Sequence, residues 1–131
     1  MPDPQPGAYR PYVAARSPGG RPDTKPDYRV LVHRQFVEVW NGLVDRVGVT
    51  AARQFWSHVS STPGMPPAVG SSTVLRGKHH GPKWEGYSRT IHYEISGAGR
   101  IDYQYSNETR EGDHGDPHRV VKIMTIDLGS H

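Results

Sequence analysis

Two alternating segments joined by a short glycine-rich turn constrain the fold of this chain most strongly. In residues 87–95 and again in residues 100–106, apolar side chains occupy every second position, with Arg89 as the one exception. Successive side chains of a strand point to opposite faces, so each segment is predicted to be a strand with one buried face. Gly97-Ala98-Gly99 predicts the tight turn between them. The two strands are therefore expected to pair as a hairpin whose other face is polar.

The segments before this hairpin predict one strand and two helices. Residues 28–33 alternate and are rich in β-branched side chains, which favours a strand. Apolar residues in the segment 36–47 recur at the spacing of a helix with one buried face, and this helix is predicted to end near Gly48. Thr50 is predicted to cap a second helix, which ends before Pro63.

Two further segments complete the predicted sheet. Residues 119–127 are more continuously apolar than the hairpin strands, which predicts a strand in the centre of the sheet. Residues 73–75 predict a brief extended piece. The order β-α-α-β-β-β belongs to the α+β class, with both helices packed on one face of a mainly antiparallel sheet. The opposite face is partly polar, and a ligand is expected to lie there.

Residues 1–27 differ in composition from residues 28–131, which we interpret as a single folded domain. Seven of the 12 prolines fall in this arm, together with Gly19-Gly20, so neither a helix nor a strand is expected to persist there. The arm is predicted to be extended and mostly disordered. In the alternative interpretation, its few aromatic residues anchor it on the domain or on a partner.

Membrane insertion and secretion are both disfavoured by the sequence. No segment is apolar enough to span a membrane, and residues 1–7 lack the basic and apolar regions of a secretion signal. The chain has no cysteine, which fits a reducing compartment. We therefore expect a cytoplasmic protein without a membrane partner.

A basic charge balance suits an anionic partner such as nucleic acid, since the formal net charge is +3 and the pI is near 9.3. Part of this charge lies in one glycine-flanked run that also holds an aromatic residue. Phosphates bind to positive charge and bases stack on flat rings, so the run is predicted to bind RNA. In the alternative interpretation it is a solvated loop whose tryptophan folds back onto the core. Its residues are Lys78, His79, His80, Lys83 and Trp84.

His92 and Arg100 lie in the polar phase of the hairpin and are expected to project to the same surface as that run. Cleavage of RNA without a metal needs a base for the 2′-hydroxyl, cations for the charge on the phosphate and an acid for the departing 5′-oxygen. Histidine, arginine and lysine supply all three. The pattern is therefore compatible with a ribonuclease site that uses neither a metal nor a cofactor. In the alternative interpretation, which the residues alone favour, His92 is an ordinary histidine on an exposed strand face.

Four short motifs follow one another along the chain, in the segments Leu75–Lys78, Gly86–His92, Arg100–Tyr103 and Val121–His131. In this order they resemble the motifs of the RelE/ParE superfamily of bacterial toxins. Members often read L-x-G, G-Y-x-R, R-I-x-Y and finally I-G-x-H, and the preceding strand and two helices follow the family's order. The resemblance covers about residues 28–131. It is nearest to the YafQ-like branch, because a histidine follows the G-Y-x motif on the same strand.

The resemblance implies the toxin of a type II toxin-antitoxin system, with a RelE-like fold. Such a toxin is a metal-independent endoribonuclease, an mRNA interferase, that cleaves messenger RNA, usually on the translating ribosome, and so inhibits translation. A cognate antitoxin protein holds it inactive. We expect the free toxin to be a monomer.

The resemblance also implies roles for individual residues. His92 corresponds to the branch's strand histidine, and His131 corresponds to its terminal histidine, a candidate general acid or base. His80 or its neighbour is loosely equivalent to the histidine before the hairpin. The acidic residue and tryptophan that follow the strand histidine in the branch are replaced here by Tyr93-Glu94. Arg100 is placed for charge stabilisation, and the expected RNA-binding residues are Lys78, His79, Lys83, Trp84 and Arg89.

Other interpretations stay open from the sequence. His114-x-x-x-His118 has a spacing seen in zinc sites, although the chain has no cysteine and the segment is typical of a loop. A ParE-like toxin shares the fold and disables DNA gyrase without nuclease chemistry, but such toxins generally lack this histidine set. A non-catalytic RNA- or protein-binding module is the third interpretation. The terminal Gly-Ser-His131 is also compatible with a cloning remnant.

Overall fold

In the part of the chain that the structure describes, the protein forms a six-stranded sheet and three short α-helices. The computed structural model describes residues 11–22, 25–67, 71–84, 86–96, 99–109 and 118–129. The α+β class predicted from the sequence is confirmed. In chain order the elements are β1 (Tyr12–Ala14), β2 (Arg29–His33), a 3-10 helix (Arg34–Phe36), α1 (Val37–Asn41), α2 (Leu43–Val47), α3 (Val49–Ser61), β3 (Ser71–Val74), a second 3-10 helix (Lys78–His80), β4 (Ile91–Glu94), β5 (Arg100–Thr109) and β6 (His118–Asp127).

The strands lie in the order β1-β2-β6-β5-β4-β3. Only the pair β2 and β6 is parallel among these strands; the other four pairs are antiparallel. The predicted hairpin is β4 with β5, and the brief extended piece is β3, so both predictions are confirmed. The closing strand β6 lies between β2 and β5, as its continuous apolar sequence predicted. Both of its faces are covered, and Val120, Val121 and Ile123 are fully buried.

The helices cover one face of the sheet and form the main core with it. Trp40, Leu43 and Phe55 of the helices pack with strand residues such as Ile101 and Tyr103 in one buried cluster. A second and smaller cluster contains no helix residue. It lies on the opposite face, which we call the helix-free face, and consists of Tyr12, Leu31, Tyr87 and Val120 with Trp84 and Met124 packed against them.

Two details of the helix prediction were wrong. The single helix predicted over residues 36–47 is broken at Gly42, which serves as C-cap of α1 and N-cap of α2. Glycine favours such an interruption because its backbone is freer than that of other residues. The second helix begins at Val49 after Gly48 instead of being capped by Thr50. Gly48 has a φ of 94°, a left-handed conformation that ends α2 and turns the chain directly into α3.

The first hairpin strand is shorter than the predicted span 87–95, since β4 covers Ile91–Glu94 alone. Just before β4 the backbone departs from regular strand pairing. The Thr90 N–H donates to the His80 carbonyl at 2.9 Å, whereas the Ser88 N–H still donates to the Tyr105 carbonyl of β5 at 2.8 Å. The Arg89 side chain reaches back to the carbonyls of Leu75 and Gly77.

The prediction of a disordered arm is wrong for the described residues 11–22. Tyr12–Ala14 pairs antiparallel with β2 as the edge strand β1. Helix side chains fasten the chain that follows: Trp40 Nε1 donates to the Arg16 carbonyl at 2.8 Å, and Arg53 donates to the carbonyls of Pro18 and Arg21, both at 3.0 Å. Prolines prevent long elements but not a three-residue strand, because residues 12–14 contain none. Residues 1–10 lie outside the described part of the chain.

Within the described residues, no helix has the length and apolar character that crossing a membrane requires.

Candidate functional site

A groove of about 490 Å³ lies on the helix-free face. Three histidines, a lysine and a carboxylate line it together with aromatic and hydroxyl side chains. The combination of positive charge, flat rings and groups able to exchange protons is the one that the cationic run led us to expect. The lining residues are Pro11, Tyr12, His33, His79, His80, Lys83, Trp84, Thr90, Asp102, Met124 and Thr125.

The register of the sheet explains why these residues meet. Tyr12 is the cross-strand partner of His33, Asp102 is the partner of Thr125, and His92 is the partner of Asp102. A register shift between Asp102 and Tyr103 leaves Met124 as an extra residue on β6. Such a bulge re-aims neighbouring side chains, so Met124 and Thr125 both reach the groove. One row across the sheet thus forms the floor of the groove.

The cationic run is held over this floor by one buried amide. Gln104 is 0% exposed; its Oε1 accepts from the Lys83 N–H at 2.9 Å, and its Nε2 donates to the Gly81 carbonyl at 2.9 Å. Nε2 also donates to Thr90 Oγ1 at 3.0 Å. Two hydrogen bonds of this side chain therefore fix the end of the run, residues 81–83, and the third joins it to Thr90.

A buried lysine lies against the aromatic residues of the groove. Lys122 is 2% exposed, and its Nζ lies 4.1 Å from the ring centre of Trp84, 5.0 Å from that of Tyr87 and 5.4 Å from that of Tyr12. An ammonium group over an aromatic face is stabilised by the electrons of the ring. This contact ties β1, the loop and the sheet together. Burial also raises the pKa of Tyr12 to about 12, so its hydroxyl stays protonated.

At the edge of the groove, His92 and Asp102 form a hydrogen-bonded pair. Nδ1 of His92 lies 2.7 Å from Oδ1 of Asp102, and the two side chains are 21% and 26% exposed. An ionised carboxylate only accepts hydrogen bonds, so Nδ1 carries the proton and Nε2 of the neutral ring keeps its lone pair. A histidine oriented in this way by a carboxylate is suited to act as a general base.

The structure brings four of the predicted residues to the groove: His79, His80, Lys83 and Trp84 line it. Trp84 also packs against Tyr12 and Tyr87, with ring centres 5.5 and 5.1 Å apart, so it contributes both to the second cluster and to the groove. This packing of Trp84 agrees with the alternative interpretation, in which the tryptophan folds back onto a core, and RNA binding by the run stays a prediction.

Other predicted residues lie elsewhere. Arg89 donates from Nε to the Leu75 carbonyl at 3.0 Å and from its guanidinium to the Gly77 carbonyl, which makes it a clamp on the loop before the groove. Arg100 lies in register with Glu94 and Asp127, and Lys78 is exposed. Lys78, Arg89 and Arg100 are not among the residues that line the groove. His92 is reached from the groove through Asp102.

Two predictions concern residues that the structure does not describe. His131 lies outside the described residues, and so do His114 and the side chain of His118, on which the zinc interpretation depends. Among the side chains that the structure does describe, no group of three or more histidine, aspartate or glutamate residues is arranged to hold a metal ion.

Sequence reasoning missed Asp102, Tyr12 and His33 as residues of the site. Alternation did place Asp102 on the polar face of β5, but only the register shows that it meets His92. Tyr12 lies in the arm that was predicted to be disordered. His33 is the last residue of β2 and belongs to no motif. Its ring lines the groove because β1 and the 3-10 helix hold it there.

Comparison with family models, curated proteins and solved structures gave no match for this chain.

Proposed function

We propose that this protein binds single-stranded RNA in the groove on the helix-free face and cleaves it without a metal. The observation that carries the proposal is a groove with histidine, lysine and tryptophan walls that has an oriented histidine-carboxylate pair at its edge. Lysine and the aromatic rings supply phosphate binding and base stacking. The pair supplies the base that activates a 2′-hydroxyl.

The reaction assigns a task to each group. His92 Nε2 takes the proton of the ribose 2′-hydroxyl, and the oxygen attacks the adjacent phosphorus. Lys83, a lining residue of the groove, balances the negative charge that grows on the phosphate oxygens. The bond between phosphorus and the 5′-oxygen breaks, and His80 is the candidate that protonates the leaving oxygen. The products are a 2′,3′-cyclic phosphate and a 5′-hydroxyl.

The resemblance to RelE/ParE toxins supports the same chemistry and makes it more specific. In that case the substrate is messenger RNA, cleaved on the translating ribosome, and a cognate antitoxin controls the activity in the cytoplasm. The strand histidine on which the resemblance depends, His92, is the one that Asp102 orients.

The test measures RNA cleavage by purified protein, first on a labelled RNA oligonucleotide in EDTA and then on messenger RNA in a reconstituted translation mixture. We expect His92→Asn, which keeps a donor for Asp102, and Asp102→Asn each to slow cleavage at least about 100-fold. Lys83→Ala is expected to weaken binding, whereas Lys25→Ala, an exposed lysine of the arm, serves as the matched control and is expected to change nothing.

The outcomes separate the alternatives. Intact RNA in both assays with binding retained would contradict the nuclease and favour a binding module or a gyrase-directed toxin. Cleavage that survives His92→Asn would place the chemistry elsewhere. Absence of both binding and cleavage would refute the proposed function altogether.

A further inference from the structure

His33 is a groove residue that neither the motifs nor the resemblance points to. It is the last residue of β2, it is half-buried, and it lines the groove together with His79 and His80. It lies on the opposite side of the groove from the pair of His92 and Asp102, since β6 separates β2 from the strand that carries Asp102. Two strand spacings, about 10 Å, separate it from the strand of Asp102, and three, about 14 Å, separate it from the strand of His92. The span leaves room for a ribose and its phosphate between the side chains.

The ring of His33 is held in one orientation. Its Nδ1 accepts the backbone N–H of Gln35 at 3.1 Å, which caps the 3-10 helix that follows β2. The rings of Tyr12 and Phe36 stand edge-on to it, with centres 5.2 and 6.4 Å away. Because cross-strand pairing aligns Tyr12 with His33, docking of the arm contributes to this support.

The capping hydrogen bond also fixes where the proton of His33 lies. A nitrogen that accepts a hydrogen bond carries no proton, so the neutral ring carries its proton on Nε2. Protonation of Nδ1 would direct one N–H against another and break the cap. With the cap in place, His33 therefore presents an N–H donor to the groove at Nε2. His92 is the reverse case, with its proton on Nδ1 and a lone pair on Nε2.

We propose that His33 is a phosphate-binding residue of this groove, whose Nε2–H donates a hydrogen bond to a non-bridging oxygen of an RNA phosphodiester. This inference rests on the proposed function, which identifies the ligand as RNA. It adds His33 as the group that holds the phosphate near the pair of His92 and Asp102. The donor acts on the bound phosphate and gains strength as negative charge grows on it. The other titratable or charged groups that line the groove are Tyr12, His79, His80, Lys83 and Asp102.

Two substitutions separate the cap from the donor. In His33→Asn the side-chain oxygen replaces Nδ1 as the cap acceptor, and the donor at the position of Nε2 is lost. In His33→Gln an amide N–H reaches the position of Nε2, and the cap is lost. The measurements are affinity for a 2′-O-methyl RNA oligonucleotide, which cannot be cleaved, the pH profile of cleavage of the unmodified oligonucleotide, and thermal unfolding.

We expect His33→Asn to weaken oligonucleotide binding about tenfold and to lower kcat/KM by about 10- to 100-fold, equally across the pH range, with unfolding unchanged. His33→Gln is expected to bind more tightly than His33→Asn while unfolding at a lower temperature. Wild-type affinity in His33→Asn would overturn the proposal. So would the loss of one limb of its pH profile, because that would assign proton transfer to His33.

The binding readout keeps the two proposals apart. If the wild-type protein binds RNA but leaves it intact, the nuclease proposal fails, and the affinity of His33→Asn still decides whether His33 holds a phosphate.

Discussion

Replacing Gln104 tests how the groove is built, because this one side chain holds the cationic run on the sheet. In Gln104→Met a side chain of similar length and volume removes all three hydrogen bonds, to Lys83, Gly81 and Thr90. A buried hydrogen bond contributes roughly 1 kcal/mol, and partners left buried without a bond cost more. Thr90 is 2% exposed, so water does not replace its lost partner. The free energy of unfolding is expected to fall by about 2–4 kcal/mol.

Urea unfolding followed by tryptophan fluorescence measures this loss. With an m value of about 2 kcal/mol per molar, the midpoint is expected to shift down by about 1–2 M. Thr90→Val is the matched control: it removes one of the three bonds and is expected to cost about 1 kcal/mol. A loss below about 0.5 kcal/mol in Gln104→Met would refute the reasoning, as would a loss in Thr90→Val equal to that in Gln104→Met.

Two further predictions concern the helical face. Burial lowers the pKa of His58 below its ordinary value of 6.5. The unfolded chain therefore binds this proton more readily, so His58 makes stability fall as the pH drops below about 6.5 toward its folded pKa. His58→Phe is expected to flatten the dependence of the urea midpoint between pH 8 and pH 5, and an unaltered slope would contradict this. For Gly64→Ala, an added Cβ would lie 2.1 Å from the Tyr105 hydroxyl oxygen. We expect a loss of about 1–3 kcal/mol in urea unfolding. Tyr105→Phe in the same chain is expected to recover only part of it, because the Cζ carbon lies 2.7 Å away; full additivity of the two changes would show that they do not interact.

Strict patterns along the chain predicted the elements well, and contacts between distant segments explain what they did not predict. Alternation gave the hairpin of β4 and β5 because a strand with one buried face must alternate. Continuous apolarity predicted the central position of β6, because a strand that is covered on both faces does not alternate. The break at Gly42 was not visible, since glycine is tolerated inside many helices.

Most of the site residues predicted from the sequence belong to a local cluster, and His92 was predicted from its position on the polar face of the hairpin and from the resemblance. The run from His79 to Trp84 reads as a binding segment by itself, whereas the pairing of His92 with Asp102 depends on the register across the hairpin. The orientation of the His33 ring depends on its cap of the 3-10 helix and on the packing of Tyr12 from the arm. The proline-rich composition of that arm argued for disorder, and no pattern within it indicates that Arg53 and Trp40 bind its carbonyls.

The parallel pairing of β2 with β6 determines when this domain is able to fold. Val30 pairs with Val121, so the two strands are separated in sequence by nearly the whole domain. Contacts between such distant segments slow folding, because a long loop must be closed before they form. Until β6 has been synthesised, the edges of β2 and β5 have no strand between them, and unpaired edges attract other chains. We therefore expect variants that delay the insertion of β6 to aggregate during expression.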